Sequence, residues 1–296
     1  MSRFSAIDLS QLSAPQLIDA LDYESVLAAL MEDVNGRFQA AGVDYDVGGL
    51  ETDPVKIVLE IAAYRELILR ALVNDKARAV LIAYAVGSDL DHLGALFGTT
   101  RKVLVPASGT SAAVMESDAD YRRRIQLAPE AFSVAGPAGA YVYFALSAAS
   151  EIADAHAFSP ADGRVTVVIA GADGAQVSDA SLAAVVDRFE LADTVPLTDA
   201  VSVQRAALVE VPVQAVLTLS RGPDPDLVAA QAQAQVLAYF ASRYRIGLGV
   251  YRSGLMAALS VGGVDSVALS EPANDVDLSD TEIAIPGAVT IETNVV

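Results

Sequence analysis

Residues 150–171, SEIADAHAFSPADGRVTVVIAG, and residues 261–287, VGGVDSVALSEPANDVDLSDTEIAIPG, share one pattern: a helix end, an alternating run, a turn that carries proline, and a second alternating run. Apolar residues at every second position place side chains on opposite faces of a strand. The first stretch therefore predicts strands over 152–157 and 165–170, and the second over 264–269 and 282–291. Around them the period switches to 3.6 and predicts helices over 138–149, 179–191, 226–243 and 253–259, with further strands near 201–204 and over 209–219. Helices that can cover one face of a small sheet define an α+β class. The expected architecture is two small antiparallel-sheet and helix sandwiches, 136–206 and 207–296, behind an N-terminal long-helix region. The two stretches repeat in pattern, not in residues.

Upstream the period is helical. Leu27, Leu30, Met31, Val34 and Phe38 recur at three- and four-residue spacing and share one helical face, which something must cover. Gly42, Gly48 and Gly49 mark a loop, and Asp53-Pro54 supplies an N-cap followed by proline at the first helical position. From there the pattern runs unbroken to about Val86, roughly 50 Å at 1.5 Å per residue. A helix that long exceeds what one small core needs. Ser88, three residues before Asp91, predicts the cap of a short helix that Gly98 closes. Residues 1–100 thus form the helical region and 101–135 a linker with one charged helix, 120–128, ended by Pro129.

Composition narrows the function. The 296 residues carry 38 acids against 19 bases, a net charge of −19, and no cysteine. Disulfides, thiolate metal sites and cysteine nucleophiles are excluded. The acidic balance argues against nucleic acid and against an anionic membrane surface, both of which need clustered Lys and Arg. The longest uncharged stretch, 131–150, contains Gly136, Pro137 and Gly139 and reads as a loop and a buried helix rather than a span. The N-terminus has no apolar run before its first acid, so no secretory signal is expected.

Chemistry is sparse. His92 and His156 are the only histidines, and neither has a metal-ligand neighbour at helical or strand spacing. No nucleophile elbow, zinc helix or phosphate loop motif occurs. Gly247, Gly249 and Gly254 with Arg243, Arg245 and Arg252 suggest an anion cradle, but they follow a helix where a dinucleotide fingerprint needs a strand. A turn with Ser253 capping the next helix is the plainer reading. The acid-rich run 274–280 lacks the glycine and terminal glutamate of a calcium loop and reads as a solvated hairpin loop. No cofactor or metal is expected. With so many acids, a hydrolase using a carboxylate pair stays open as the alternative function.

One further set of residues points to a family. Residues 51–101 open with an acid and Pro54, continue through Glu60, the run Ala63-Tyr-Arg-Glu66 and Asn74, and close on Tyr84-Ala-Val-Gly87 and Asp89-Leu-Asp-His-Leu93. Downstream stand Asp120-Tyr-Arg-Arg-Arg-Ile125, Ala128-Pro-Glu130, Gly136 to Tyr141, Arg252, Ser253 and Leu255 before Gly263-Val264, and Glu271-Pro272. Over nearly its whole length the chain resembles the baseplate J-like family, wedge components of contractile phage tails. Longer relatives carry a β-rich insert where only a short segment stands before Asp120.

The resemblance implies a structural virion protein without catalysis, assembled in the host cytoplasm into the tail baseplate. It implies helices that enter a bundle with other wedge proteins, one like tail protein I and one with a lysozyme-like fold. It also implies copies that close a sixfold ring around the tail tube and relay the change that triggers sheath contraction. Leu27, Leu30, Met31, Val34 and Phe38, the middle of the long helix, Glu60, Arg65, Asn74 and Arg252 are the expected interface residues, the alternative for the stripe and the long helix being that each packs against the other helix of the same chain. Arg65, Glu66 and Arg70 also sit at spacings that allow intrahelical ion pairs.

Overall fold

The computed structural model describes residues 7–15, 22–45, 50–133, 136–191, 195–196, 198–222 and 224–295. Gly48 and Gly49, and the first six residues, lie outside the described residues. The chain divides into two compact units, one ending at Leu96 and the other starting at Phe97.

In the first unit α1 (Tyr23–Ala40) begins where the Asp22 carboxylate accepts from the Ser25 N–H at 2.7 Å. α2 (Pro54–Ala79) begins under Asp53, whose carboxylate accepts from the Val55 N–H and the Tyr45 hydroxyl. Val26 and Leu27 of α1 pack on Leu59 and Ala63 of α2, flanked by Leu30, Met31, Val34 and Phe38. The sequence predicts α2 to run to Val86; it stops after 26 residues, about 39 Å. Past Ala79 the bonding tightens to three-residue steps, from Leu81 N–H to Arg78 O and from Tyr84 N–H to Leu81 O. The turn buries Ala85 and Leu90. The short α3 (Gly87–Ala95) starts a residue before Ser88 and has no side-chain cap, so Ser88 does not play the part expected of it.

The second unit opens with a hairpin, β1 (Val103–Val105) and β2 (Val114–Met115), and α4 (Asp118–Leu127), which Ser117 caps. α5 (Ala138–Ala148), β3 (Ile152–Ala161), β4 (Arg164–Gly171), α6 (Asp179–Glu190) and β5 (Ala200–Arg205) form the first sandwich. β6 (Ala207–Leu219), α7 (Pro225–Ser242), α8 (Arg252–Leu259), β7 (Val264–Glu271) and β8 (Glu282–Val295) form the second. α5 and α6 cover one face of the β3-β4-β5 sheet, where Phe144, Leu146, Val167, Ile169 and Phe189 meet. α7 and α8 cover β7-β6-β8, where Val213, Leu217, Val236, Phe240 and Leu255 meet.

Both sheets are mixed, which corrects the expectation of antiparallel ones. β3 and β7 run antiparallel to the central strands β4 and β6, but β5 and β8 run parallel to them. α6 is the crossover that makes β4 and β5 parallel, and the 272–281 connection carries the chain past β6 to β8. Alternation reports which residues face the core and is blind to strand direction.

The glycine-rich segment after α7 is held by backbone contact. Val250 and Val276 exchange backbone hydrogen bonds at 2.9 Å. A Cβ on Gly249 would lie 2.6 Å from Val276 O. The Asp275 carboxylate, not Ser253, receives the first N–H of α8, from Arg252 at 2.7 Å. Gly249→Ala is therefore expected to cost about 1–3 kcal/mol by forcing the 272–281 connection outward, measured as a lower urea midpoint at unchanged slope.

Candidate functional site

α2 is apolar on two opposite sides. Leu59 and Ala63 face α1. On the other side Ile57, Ile61, Tyr64, Ile68 and Leu72 follow each other at three- and four-residue steps, flanked by Val58 and Leu69. All of these are 45–64% exposed. Arg65 sits in the middle of this outer face and is exposed, and Glu60 is half-buried at its margin. Arg70 Nη2 pairs with Glu66 at 2.6 Å, the intrahelical pair that the spacing predicts. α2 carries five bases and three acids, so it is cationic within a chain of net charge −19.

The expected interface residues thus separate. Leu27, Leu30, Met31, Val34 and Phe38 come together, but against α2 of their own chain. Asn74 is buried on the inner side of α2. Arg252 lies in the other unit, where its guanidinium donates to Leu269 O at 2.9 Å and to Pro272 O. Sequence reasoning pointed to the middle of the long helix without naming Ile57, Ile61, Ile68, Leu69 and Leu72. The signal for them was a helix whose apolar residues exceed one stripe.

The other concentration of chemistry surrounds α4. Arg124 and Glu116 are both buried and form a two-pronged pair at 2.8 and 2.6 Å. Arg124 also donates to Thr100 O at 2.6 Å. The Lys102 ammonium donates to Leu146 O, Ala149 O and Ile152 O and so closes the C-terminal end of α5. Burial pushes Lys102 down to about 8, with the Glu116 carboxylate opposing the shift and the Arg124 guanidinium reinforcing it. A cavity of about 260 Å³ lies among Lys102, Glu116, Asp120, Arg123, Arg124 and Glu151.

These carboxylates do not make a hydrolytic pair. Glu116 is committed to Arg124, and Asp120 accepts from the Ser117 hydroxyl at 2.7 Å. Glu151 accepts from the Ser178 N–H, which lowers its pKa, the opposite of what a general acid requires. His92 is exposed, and His156 is buried with Nε2 at 3.3 Å from the Asp280 carboxylate. Among the described residues there is no group of three or more His, Asp or Glu placed to hold a metal ion. Nor is any described helix long and apolar enough to cross a membrane.

Exposed apolar area on a long helix, with the buried charges spent on internal bonds, defines a structural protein that works through its surfaces. Comparison with known proteins agrees. The chain matches the Baseplate J-like N-terminal domain over residues 51–108, the Baseplate J-like central domain over 133–205 and the Baseplate J-like protein C-terminal domain over 211–292. It is 41% identical over 284 residues to baseplate protein J of Escherichia phage P2, covering 93% of this chain and 94% of that protein. The chain belongs to the baseplate J-like family and is a structural baseplate protein, not an enzyme.

Arg124→Ala strands the buried Glu116 carboxylate and is expected to cost about 3–5 kcal/mol in urea unfolding. Lys102 holds its proton less tightly in the folded protein, near 8, than at its ordinary 10.5. Between these values the unfolded chain binds more proton, so this group makes stability rise with pH. Lys102→Met should remove that positive slope between pH 8 and 10, measured by unfolding across the range.

Proposed function

We propose that this chain is a wedge subunit of a contractile-tail baseplate. Its copies close a sixfold ring around the tail tube, and the ring relays the rearrangement that triggers sheath contraction. Assembly takes place in the host cytoplasm. The partners are other wedge proteins, one resembling tail protein I and one with a lysozyme-like fold. The observation that carries the reading is the outer face of α2: large apolar side chains that this helix cannot hide against α1.

Burying a Leu or Ile side chain contributes about 1.5–3 kcal/mol, so several on one face suffice for a specific helical contact. Arg65 at the centre of that face suits a partner carboxylate, and Glu60 suits a base at the margin. Leu27, Leu30, Met31, Val34 and Phe38 act by holding α1 on α2 and so presenting the outer face. Asn74 anchors the inner side of α2, and Arg252 shapes the end of the second sandwich for contact between copies. A closed ring needs a head-to-tail contact as well as any two-fold one. The relay is a choice between two packings of that ring, biased by contacts made in only one of them.

The test is substitution on the outer face. Ile61→Asp and Leu69→Asp should leave the circular dichroism spectrum unchanged while weakening capture of wedge partners by roughly 30-fold or more each. Retained capture at wild-type strength would remove the outer face from the assembly. Phe38→Asp, set in the α1–α2 contact, is expected to lose helical structure instead.

A further inference from the structure

The period of β3 places Ala155 and Ala157 toward α5 and puts Asp154, His156 and Phe158 on the opposite face. That face meets the second sandwich. Val168 and Ala170 of β4 pack there with Phe158, Leu208, Tyr244, Ile246 and Ile283. Between the sandwiches stands a single residue: β5 ends at Arg205, β6 begins at Ala207, and the Ala206 N–H is itself bonded to Ile169 O at 2.8 Å.

At the centre of the seam lies a carboxylate. Asp154 has no exposed surface. One of its oxygens accepts from the Arg123 guanidinium of α4 at 2.6 Å, and the other accepts from the Ile246 backbone N–H at 2.8 Å. Arg245 Nε stands at 4.0 Å. Tyr244 reinforces the seam, its hydroxyl donating to Gly171 O and accepting from the Gly174 N–H, both at 2.8 Å.

We infer that Asp154 is a positioning residue that locks both sandwiches and α4 into one body. Small separations of the sandwiches would break the bond between the Asp154 carboxylate and the Ile246 N–H before water has room to replace it, so they are unfavourable. Arg124, next to Arg123 on α4, extends the lock through Glu116 and Thr100 to the start of the unit. Charge-assisted bonds from two neighbouring arginines, joined by the α4 backbone, therefore tie Thr100 and Glu116 to Asp154 and Ile246. Their mechanical use rests on the baseplate reading: displacement arriving at residues 99–102 would reach β6, β7 and β8 without a hinge to absorb it. The lock itself stands apart from that reading.

The full chain in solution tests it, by hydrogen exchange followed along a urea series. In the wild type, peptides covering β4 and β6 should lose protection at one urea concentration. Asp154→Asn keeps the volume and removes the charge. Peptides covering 243–249 should then exchange roughly 10- to 100-fold faster, and the two midpoints should separate. Arg123→Gln should loosen α4 while the midpoints stay together. Coincident midpoints in Asp154→Asn with unchanged exchange over 243–249, or separate midpoints already in the wild type, would overturn the inference. Should Asp154→Asn not fold, Tyr244→Phe weakens the same seam without stranding a charge. Midpoints that separate then support the lock, and midpoints that coincide overturn it. The α2 variants test the baseplate reading independently, since they lie in the first unit.

Discussion

A helix that is apolar on opposite sides can bury only one of them against a single neighbour. α2 has that character, with Leu59 and Ala63 turned to α1 and Ile61, Ile68 and Leu72 turned to solvent. Exposed apolar area of this kind marks an interaction surface or a liability to aggregation. The net charge of −19 opposes random association between copies, while α2 itself is cationic. Arg65 sets one exposed cation among the outer apolar side chains, so apolar contact and attraction to an acidic chain favour the same place.

The charges of the second unit serve a different end. Glu116, Arg123, Arg124, Lys102 and Asp154 are drawn inside and satisfied by one another or by backbone groups. The 272–281 connection, dense in acids, behaves likewise. Asp275 receives the Arg252 N–H of α8, Val276 bridges to Val250, and Asp280 lies against His156. An abundance of carboxylates usually invites a search for metals or acid–base pairs. In this chain many of them close helix ends and join elements, and the arginines beside them are the matching donors.

Much of this architecture was legible in the sequence. The alternation at 152–157, 165–170, 264–269 and 282–291 marks β3, β4, β7 and β8, and the helical period marks α5 to α8, because burial of one face imposes a period wherever it occurs. Direction is not encoded in that period, so the parallel pairing of β5 and β8 was not visible. The end of α2 was missed because a three-residue turn that buries Ala85 keeps the apolar spacing of a helix. At the candidate site the same ambiguity leaves two surfaces undivided. The stripe from Leu27 to Phe38 and the outer face of α2 have similar patterns, and only their pairing in space shows which is covered. Asp154 and Glu116 gave no signal at all, since a carboxylate satisfied by distant partners looks in sequence like any solvated acid.

The two units also differ in how much holds them together, and that difference bears on function. Among the described residues, the first unit buries a short list of side chains between α1 and α2: Val26, Leu27, Leu59 and Ala63. Each sandwich buries a far larger core, and the two are sealed by Asp154 and the cluster around Ile246. Stability within a protein is distributed according to such local contacts, and segments with few of them open most readily. A binding partner that covers the outer face of α2 stabilises the weaker unit by mass action and leaves the sandwiches untouched. Assembly would then order the helical region where the partner arrives, while the sandwiches keep a single shape before and after.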